Sequence, residues 1–117
     1  MHAERPTLPT TERVRGCCLP VASLLAPDDV ERLSTLLKAV GDPARLQILH
    51  MLRAAGEPVC VCDLTAALDV GQPTVSHHLA RLKEAGLVTS QKRGIWAYYA
   101  LRADLAPEVW SLLALVP

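Results

Sequence analysis

Val70-Gly-Gln-Pro-Thr-Val-Ser-His-His-Leu-Ala-Arg-Leu-Lys-Glu-Ala-Gly86 carries the marks of a helix with both of its ends written in. Pro73 suits a first helical turn, where its missing N–H has no partner to lose, and Gly86 is the residue type that closes a helix in the left-handed conformation. Between them Val75, Leu79 and Leu82 recur at i, i+4 and i+7 as one apolar stripe. Thr74, His77 and Arg81 fall on the opposite face, flanked by Ser76 and His78. A helix lying in a DNA major groove needs this division: an anchored back, short polar groups near its N-terminus for base edges, and an arginine for guanine or phosphate. An ordinary amphipathic surface helix shows the same division, so the flanking sequence has to discriminate.

Upstream, Cys62-Asp-Leu-Thr-Ala-Ala-Leu68 reads as a short helix with Leu64 and Leu68 inward, and Asp69-Val-Gly-Gln72 as the turn that follows it. Downstream of Gly86 the period changes from 3.6 to about 2. Leu87–Gln91 and Ile95–Leu101 are rich in strand formers, and Lys92-Arg93-Gly94 between them reads as a hairpin tip. Two short helices joined by a tight turn, then a basic-tipped hairpin, predict a fold that is mainly α with a β-hairpin: a winged helix-turn-helix. Lys92 and Arg93 are expected to touch phosphates or an adjacent minor groove, contacts that hold register without reading sequence.

Nearer the N-terminus, Asp28 or Asp29 is expected to cap a helix whose apolar stripe is Val30, Leu33, Leu36, Leu37 and Val40, stopped by Gly41. A second helix starts at Asp42-Pro43 and runs through Leu46, Ile48, Leu49 and Leu52 to Gly56, after which Pro58 forces an extended link. Residues 1–26 are polar, contain Pro6, Pro9 and Pro20, and read as a mobile arm carrying Cys17-Cys18; residues 27–117 form the DNA-binding and dimerisation domain. Past Asp104, residues Leu105, Val109, Leu112, Leu113 and Val116 with Trp110 form a last apolar helix. That helix and the first carry more apolar surface than a small core absorbs, which predicts a homodimer. A two-fold dimer presents two reading helices to successive major grooves, so the partner is double-stranded DNA with an inverted-repeat operator, half-sites ~10 bp or a multiple apart.

The composition agrees with one domain: 117 residues, half of them apolar, with 3% aromatics and no Phe, so the core is built from Leu, Val and Ala. No apolar run nears the ~20 residues of a membrane span, and the first residues lack the order of a signal peptide, so a cytoplasmic protein without a membrane partner is expected. Four cysteines in two tight pairs, Cys17-Cys18 and Cys60-Val-Cys62, point in a reducing compartment to metal or thiol chemistry rather than a disulfide framework. Formal net charge is zero, but between Gln72 and Gly94 the chain carries Arg81, Lys83, Lys92 and Arg93 against Glu84 alone, with His77 and His78 in addition. A basic face on a neutral body still steers toward phosphate, in a salt-sensitive way. His77 and His78 point about 100° apart on a helix, which suits groove or phosphate contact rather than one shared metal. No spaced nucleophile and base, glycine-rich phosphate loop or open-position metal triad is found, so an enzyme is not expected.

Lys38-Ala-Val-Gly-Asp-Pro-Ala-Arg-Leu-Gln-Ile-Leu49, Val59-Cys-Val-Cys-Asp-Leu64, and Gln72-Pro-Thr-Val-Ser-His-His-Leu79 with Ala85-Gly-Leu-Val88 resemble the ArsR/SmtB family of metal-sensing repressors, over roughly Asp28 to Leu101. The resemblance implies a homodimeric winged-helix repressor that leaves its operator on binding a metal or metalloid ion. It places the reading helix at Gln72 to Lys83 and the wing at Leu87 to Leu101. The expected DNA contacts are then Gln72, Thr74, Ser76, His77, His78, Arg81, Lys83, Lys92 and Arg93.

In the arsenic sensors that the chain resembles, the Cys-Val-Cys-Asp-Leu motif begins the helix before the reading helix, and a third cysteine often lies three residues after the second. That position here is Thr65. Cys17 and Cys18 are therefore expected to complete a thiolate site with Cys60 and Cys62 for As(III) or Sb(III) as inducer. The ten or so intervening residues, at ~3.5 Å each, let the arm reach either subunit. Proximity to a helix N-terminus is expected to favour the thiolates, and binding to strengthen as pH rises, because each ligating sulfur must lose its proton. Two alternatives use the same cysteines. A sister group of cadmium and lead sensors also joins arm cysteines to a Cys-Val-Cys pair, and four thiolates suit Cd(II), Pb(II) or Zn(II); a thiol redox switch is the other. The last-helix zinc site of further relatives uses Asp and His, and Asp104 is followed by no histidine.

Overall fold

Pro27 opens the first helix of the computed structural model, which describes residues 23–115; Cys17, Cys18, Val116 and most of the N-terminal arm lie outside the described residues. Helix α1 (Pro27–Val40) starts two residues earlier than a cap at Asp28 would place it. Ala26 holds the cap position without a side-chain hydrogen bond, and Pro27, whose fixed φ is already helical, makes the first turn. Asp28 and Asp29 sit inside that turn, where their charge opposes the positive end of the helix dipole. Helix α2 (Pro43–Ala55) begins as expected: the Asp42 carboxylate accepts a hydrogen bond from the Arg45 backbone N–H at 3.0 Å. It closes on Gly56 at φ 67.

The link after Pro58 is more than extended chain. Val59–Cys60 form a short strand, β1, that pairs antiparallel with the second hairpin strand, Val59 opposite Tyr99 and Cys60 opposite Tyr98. Helix α3 (Val61–Leu68) follows directly, and after a turn comes α4 (Gln72–Glu84). The hairpin strands β2 (Val88–Arg93) and β3 (Trp96–Leu101) complete a three-stranded sheet in the order β1-β3-β2. Arg93 pairs with Trp96, so the tip is Gly94-Ile95 rather than Lys92-Arg93-Gly94, and both basic residues belong to β2. A two-residue hairpin turn requires positive φ, which Gly94 supplies at +66°. Helix α5 (Pro107–Leu113) ends the described chain.

One core joins these elements. Ile48, Leu49 and Leu52 of α2 meet Val61 and Leu64 of α3, Val75, Leu79 and Leu82 of α4, and Leu87 and Val88 at the start of the hairpin. The three apolar residues of α4 are fully enclosed, so its stripe is an anchored back. Val109 and Leu113 of α5 are buried in this same core, and the Arg53 guanidinium donates to the Leu113 carbonyl at 2.7 Å. The last helix therefore spends part of its apolar face on the chain's own core. Helix α1 does so less: Ala39 and Val40 at its end are buried in the core and Leu36 packs against it, while Val30 and Leu37 are exposed. Trp96 on the wing and Trp110 on α5 both reach the surface, 50% and 40% exposed. Among the described residues no helix is long and apolar enough to cross a membrane.

Candidate nucleic-acid interface and thiol pair

Because Val75, Leu79 and Leu82 hold the back of α4, the opposite face stands clear: Gln72, Thr74, Ser76 and His77 are exposed at its N-terminal end. Arg81 follows on the same face, paired at 3.5 Å with Glu84 where both side chains are more than half exposed. Such a pair is weak and screened, so Arg81 is free to exchange its partner for phosphate or a base. Lys83 donates to Ser90 Oγ at 2.8 Å and ties the end of α4 to β2.

His78 departs from the expected reading set. Its side chain is only 14% exposed, and its Nδ1 lies 3.1 Å from Nη1 of Arg45 and 3.8 Å from the Asp42 carboxylate. The ring faces α2, not solvent. The helical period placed it at the edge of the polar face but carried no sign of a partner 33 positions away.

Lys92 and Arg93 separate as well. Residues opposite one another in an antiparallel ladder share a face, so Lys92, Ala97, Ser90 and Tyr99 lie on one side of the wing and Arg93, Trp96, Gln91 and Tyr98 on the other. Ser90 is the residue held by Lys83, which puts Lys92 on the side of α4. Arg93 turns away and stacks its guanidinium 4.5 Å from the centre of the Tyr98 ring.

The second group of chemical interest is at the β1–α3 junction. Cys60 is buried in the sheet ladder and Cys62 is exposed in the first turn of α3; both are free thiols and their sulfurs approach to 2.7 Å. The Cys62 thiol is pushed up, first by its hydrogen bond to Cys60, then by desolvation and by the negative charges of Cys60 and Asp63. The hydrogen bond to Cys60 thus disfavours the Cys62 thiolate, where the sequence leads us to expect the helix N-terminus to favour it. Two soft donors converge on one point, the arrangement a thiophilic ion bridges at once. Thr65, where a third cysteine would stand, donates its hydroxyl to the Val61 carbonyl at 2.8 Å and is turned along the helix. Among the described residues there is no group of three or more metal-ligating side chains, so any further donor comes from elsewhere in the chain or from a second copy. Asp104 is engaged by Arg102 through two hydrogen bonds of 2.9 Å.

A helix-turn-helix anchored from behind, with a wing beside it and cations along the exposed side, is the architecture of a winged-helix DNA-binding protein. Residues 42–90 match the pattern of the bacterial regulatory proteins of the arsR family. The chain is 48% identical over 82 residues to the arsenical resistance operon repressor of Escherichia coli (strain K12), a match covering 64% of this chain and 69% of that one. Among solved structures it is similar to HlyU from Vibrio cholerae N16961, with a TM-score of 0.65 and 32% identity over 78% of this chain and 94% of the other. It is also similar to the homodimeric winged helix-turn-helix DNA-binding domain Mb0332 from Mycobacterium bovis, with a TM-score of 0.63 and 28% identity over 82% and 86% of the two chains. The chain belongs to the arsR family and is a DNA-binding transcriptional repressor, not an enzyme.

Proposed function

We propose that this protein is a cytoplasmic, homodimeric repressor that holds an inverted-repeat operator and releases it when trivalent arsenic or antimony is bound by cysteine thiolates. The observation that carries this reading is the 2.7 Å approach of Cys60 and Cys62 at the head of the helix that precedes α4. Similarity to repressors named for arsenical resistance supports the choice of ion. Cys17 and Cys18 supply the further sulfur that a three-thiolate site needs. When bound, the ion takes the place of thiol protons, so uptake releases protons and strengthens as pH rises.

Gln72, Thr74, Ser76, His77 and Arg81 read the major groove, with Lys83 and Lys92 on flanking phosphates. Arg93 reaches phosphate only by leaving Tyr98. The exposed residues Val30 and Leu37 of α1, with Trp110 of α5, form the two-fold interface. Coupling runs through α3: Cys62 is separated by one residue from Leu64, which is 1% exposed and packed in the core that also holds Val75 and Leu79. A ligand that draws the head of α3 toward the arm therefore moves the seat of α4. Linkage requires DNA to weaken ion binding by the same factor, typically ~1–3 kcal/mol.

Gel shifts on an inverted-repeat duplex with arsenite, antimonite, cadmium, lead and zinc test this. The protein carrying both Cys60→Ser and Cys62→Ser is expected to bind the duplex as tightly as the parent and to ignore arsenite. Loss of duplex binding by the untreated double variant, or arsenite uptake by the parent dimer without release, overturns the proposal. The closeness of the two sulfurs also supports a redox-switched repressor. Arsenite titration under strong reductant separates the two, because only an ion sensor still responds.

A further inference from the structure

We infer that Arg45 and His78 form a clasp that sets the rotation of α4 against the α1–α2 corner, which makes His78 a positioning residue for operator binding; this rests on α4 being the reading helix. Arg45 gives each end of its fork to a different element. Nε donates to the Ala39 carbonyl at 2.7 Å and Nη2 to the Lys38 carbonyl at 3.2 Å. Both belong to the last turn of α1, whose carbonyls lack intrahelical partners. Nη1 lies 3.1 Å from His78 Nδ1 in the middle of α4, and the Arg45 backbone N–H is the donor that Asp42 uses to cap α2. One residue thus joins the end of α1, the start of α2 and the centre of α4.

The chemistry of the contact fixes the state of the ring. A guanidinium has donors only, so the contact requires Nδ1 to accept, with the ring proton on Nε2. The same Nδ1 lies 3.8 Å from the Asp42 carboxylate, so the ring sits between the cap of α2 and the Arg45 fork. The groups facing His78 are Asp42 and Arg45 from α2 and, on its own helix, the His77 ring at 6.0 Å. Lys38 of α1 with Arg81 and Glu84 of α4 line the open notch of about 260 Å³ beside the clasp. His78 immediately follows Ser76 and His77, so any rotation the clasp permits carries the proposed base-reading side chains with it.

Binding to an inverted-repeat duplex is measured by fluorescence anisotropy. His78→Leu keeps bulk but removes the acceptor and is expected to weaken binding roughly tenfold. His78→Gln, whose amide oxygen accepts from Arg45, is expected to restore most of it. The ¹⁵N spectrum is expected to show His78 Nδ1 unprotonated at neutral pH. A protonated Nδ1, or parent-like binding by His78→Leu while Thr74→Ala and Arg81→Ala weaken it, overturns the clasp. If none of these variants changes binding, the assignment of α4 as reading helix fails, and the clasp with it.

Discussion

Asp42 shows how much of this architecture rests on single side chains. Its carboxyl is held below its ordinary value near 3.8, first by the Arg45 backbone N–H, against the opposing effect of desolvation, and then by the charge of Arg45. A lowered folded-state pKa means that the stabilisation is complete above the unfolded value and disappears as pH falls through the folded one. Asp42→Ala is expected to cost ~0.5–2 kcal/mol at neutral pH, with the gap to the parent closing in strong acid; thermal melts across pH measure both. Arg81→Ala belongs to the same scale but not to stability. Its side chain is 55% exposed, so the fold is expected to be unaffected while operator affinity drops by ~1–3 kcal/mol relative to a random duplex. Parent-like discrimination between the two duplexes excludes a base contact. The outward placement of His77 and Arg81 was legible from helical periodicity alone. That of His78 was not, because a residue at the margin of a helix face goes wherever a neighbour offers a partner, and Arg45 comes from another element.

Among the elements, α4 was the most legible because its limits are local: Pro73 starts it and Gly86, at φ +76, follows it. The wing was legible as a hairpin but not in register. Its turn was expected at the polar run Lys92-Arg93-Gly94, yet cross-strand pairing carries Arg93 into the ladder and leaves the apolar Ile95 at the tip, 88% exposed. Strand β1 left no signal at all, since two residues have no period and their pairing exists only because β3 presents an edge. Gly94→Val tests the wing by itself. A Cβ there meets nothing within 4 Å, so the cost is backbone strain of ~1–2 kcal/mol rather than a clash. Helical circular dichroism is expected to be retained while duplex affinity falls; unchanged affinity means that the wing does not touch DNA.

At the scale of the whole molecule, a surplus of apolar surface was visible in the sequence, but its location was not. Val109 and Leu113 of the last helix fill the subunit's own core, which leaves α1 with the larger open face. Leu37, 57% exposed, is the residue to charge. Leu37→Glu is expected to sediment as a monomer and to lose operator affinity on the order of a hundredfold, since both half-sites are no longer engaged together. A variant that still sediments as a dimer moves the interface away from α1. The thiol pair was legible in the Cys-Val-Cys spacing, whereas the part proposed for Cys17 and Cys18 falls outside the described residues.

The scarcity of aromatic residues has a practical result. Of two tryptophans in the chain, one lies on the wing and the other on α5, each partly open to water. Emission from Trp96 therefore follows what the hairpin meets, and emission from Trp110 follows what docks on the last helix. Replacing either by phenylalanine leaves a one-colour optical gauge, so nucleic-acid capture and subunit pairing can be timed apart in one cuvette, without a dye.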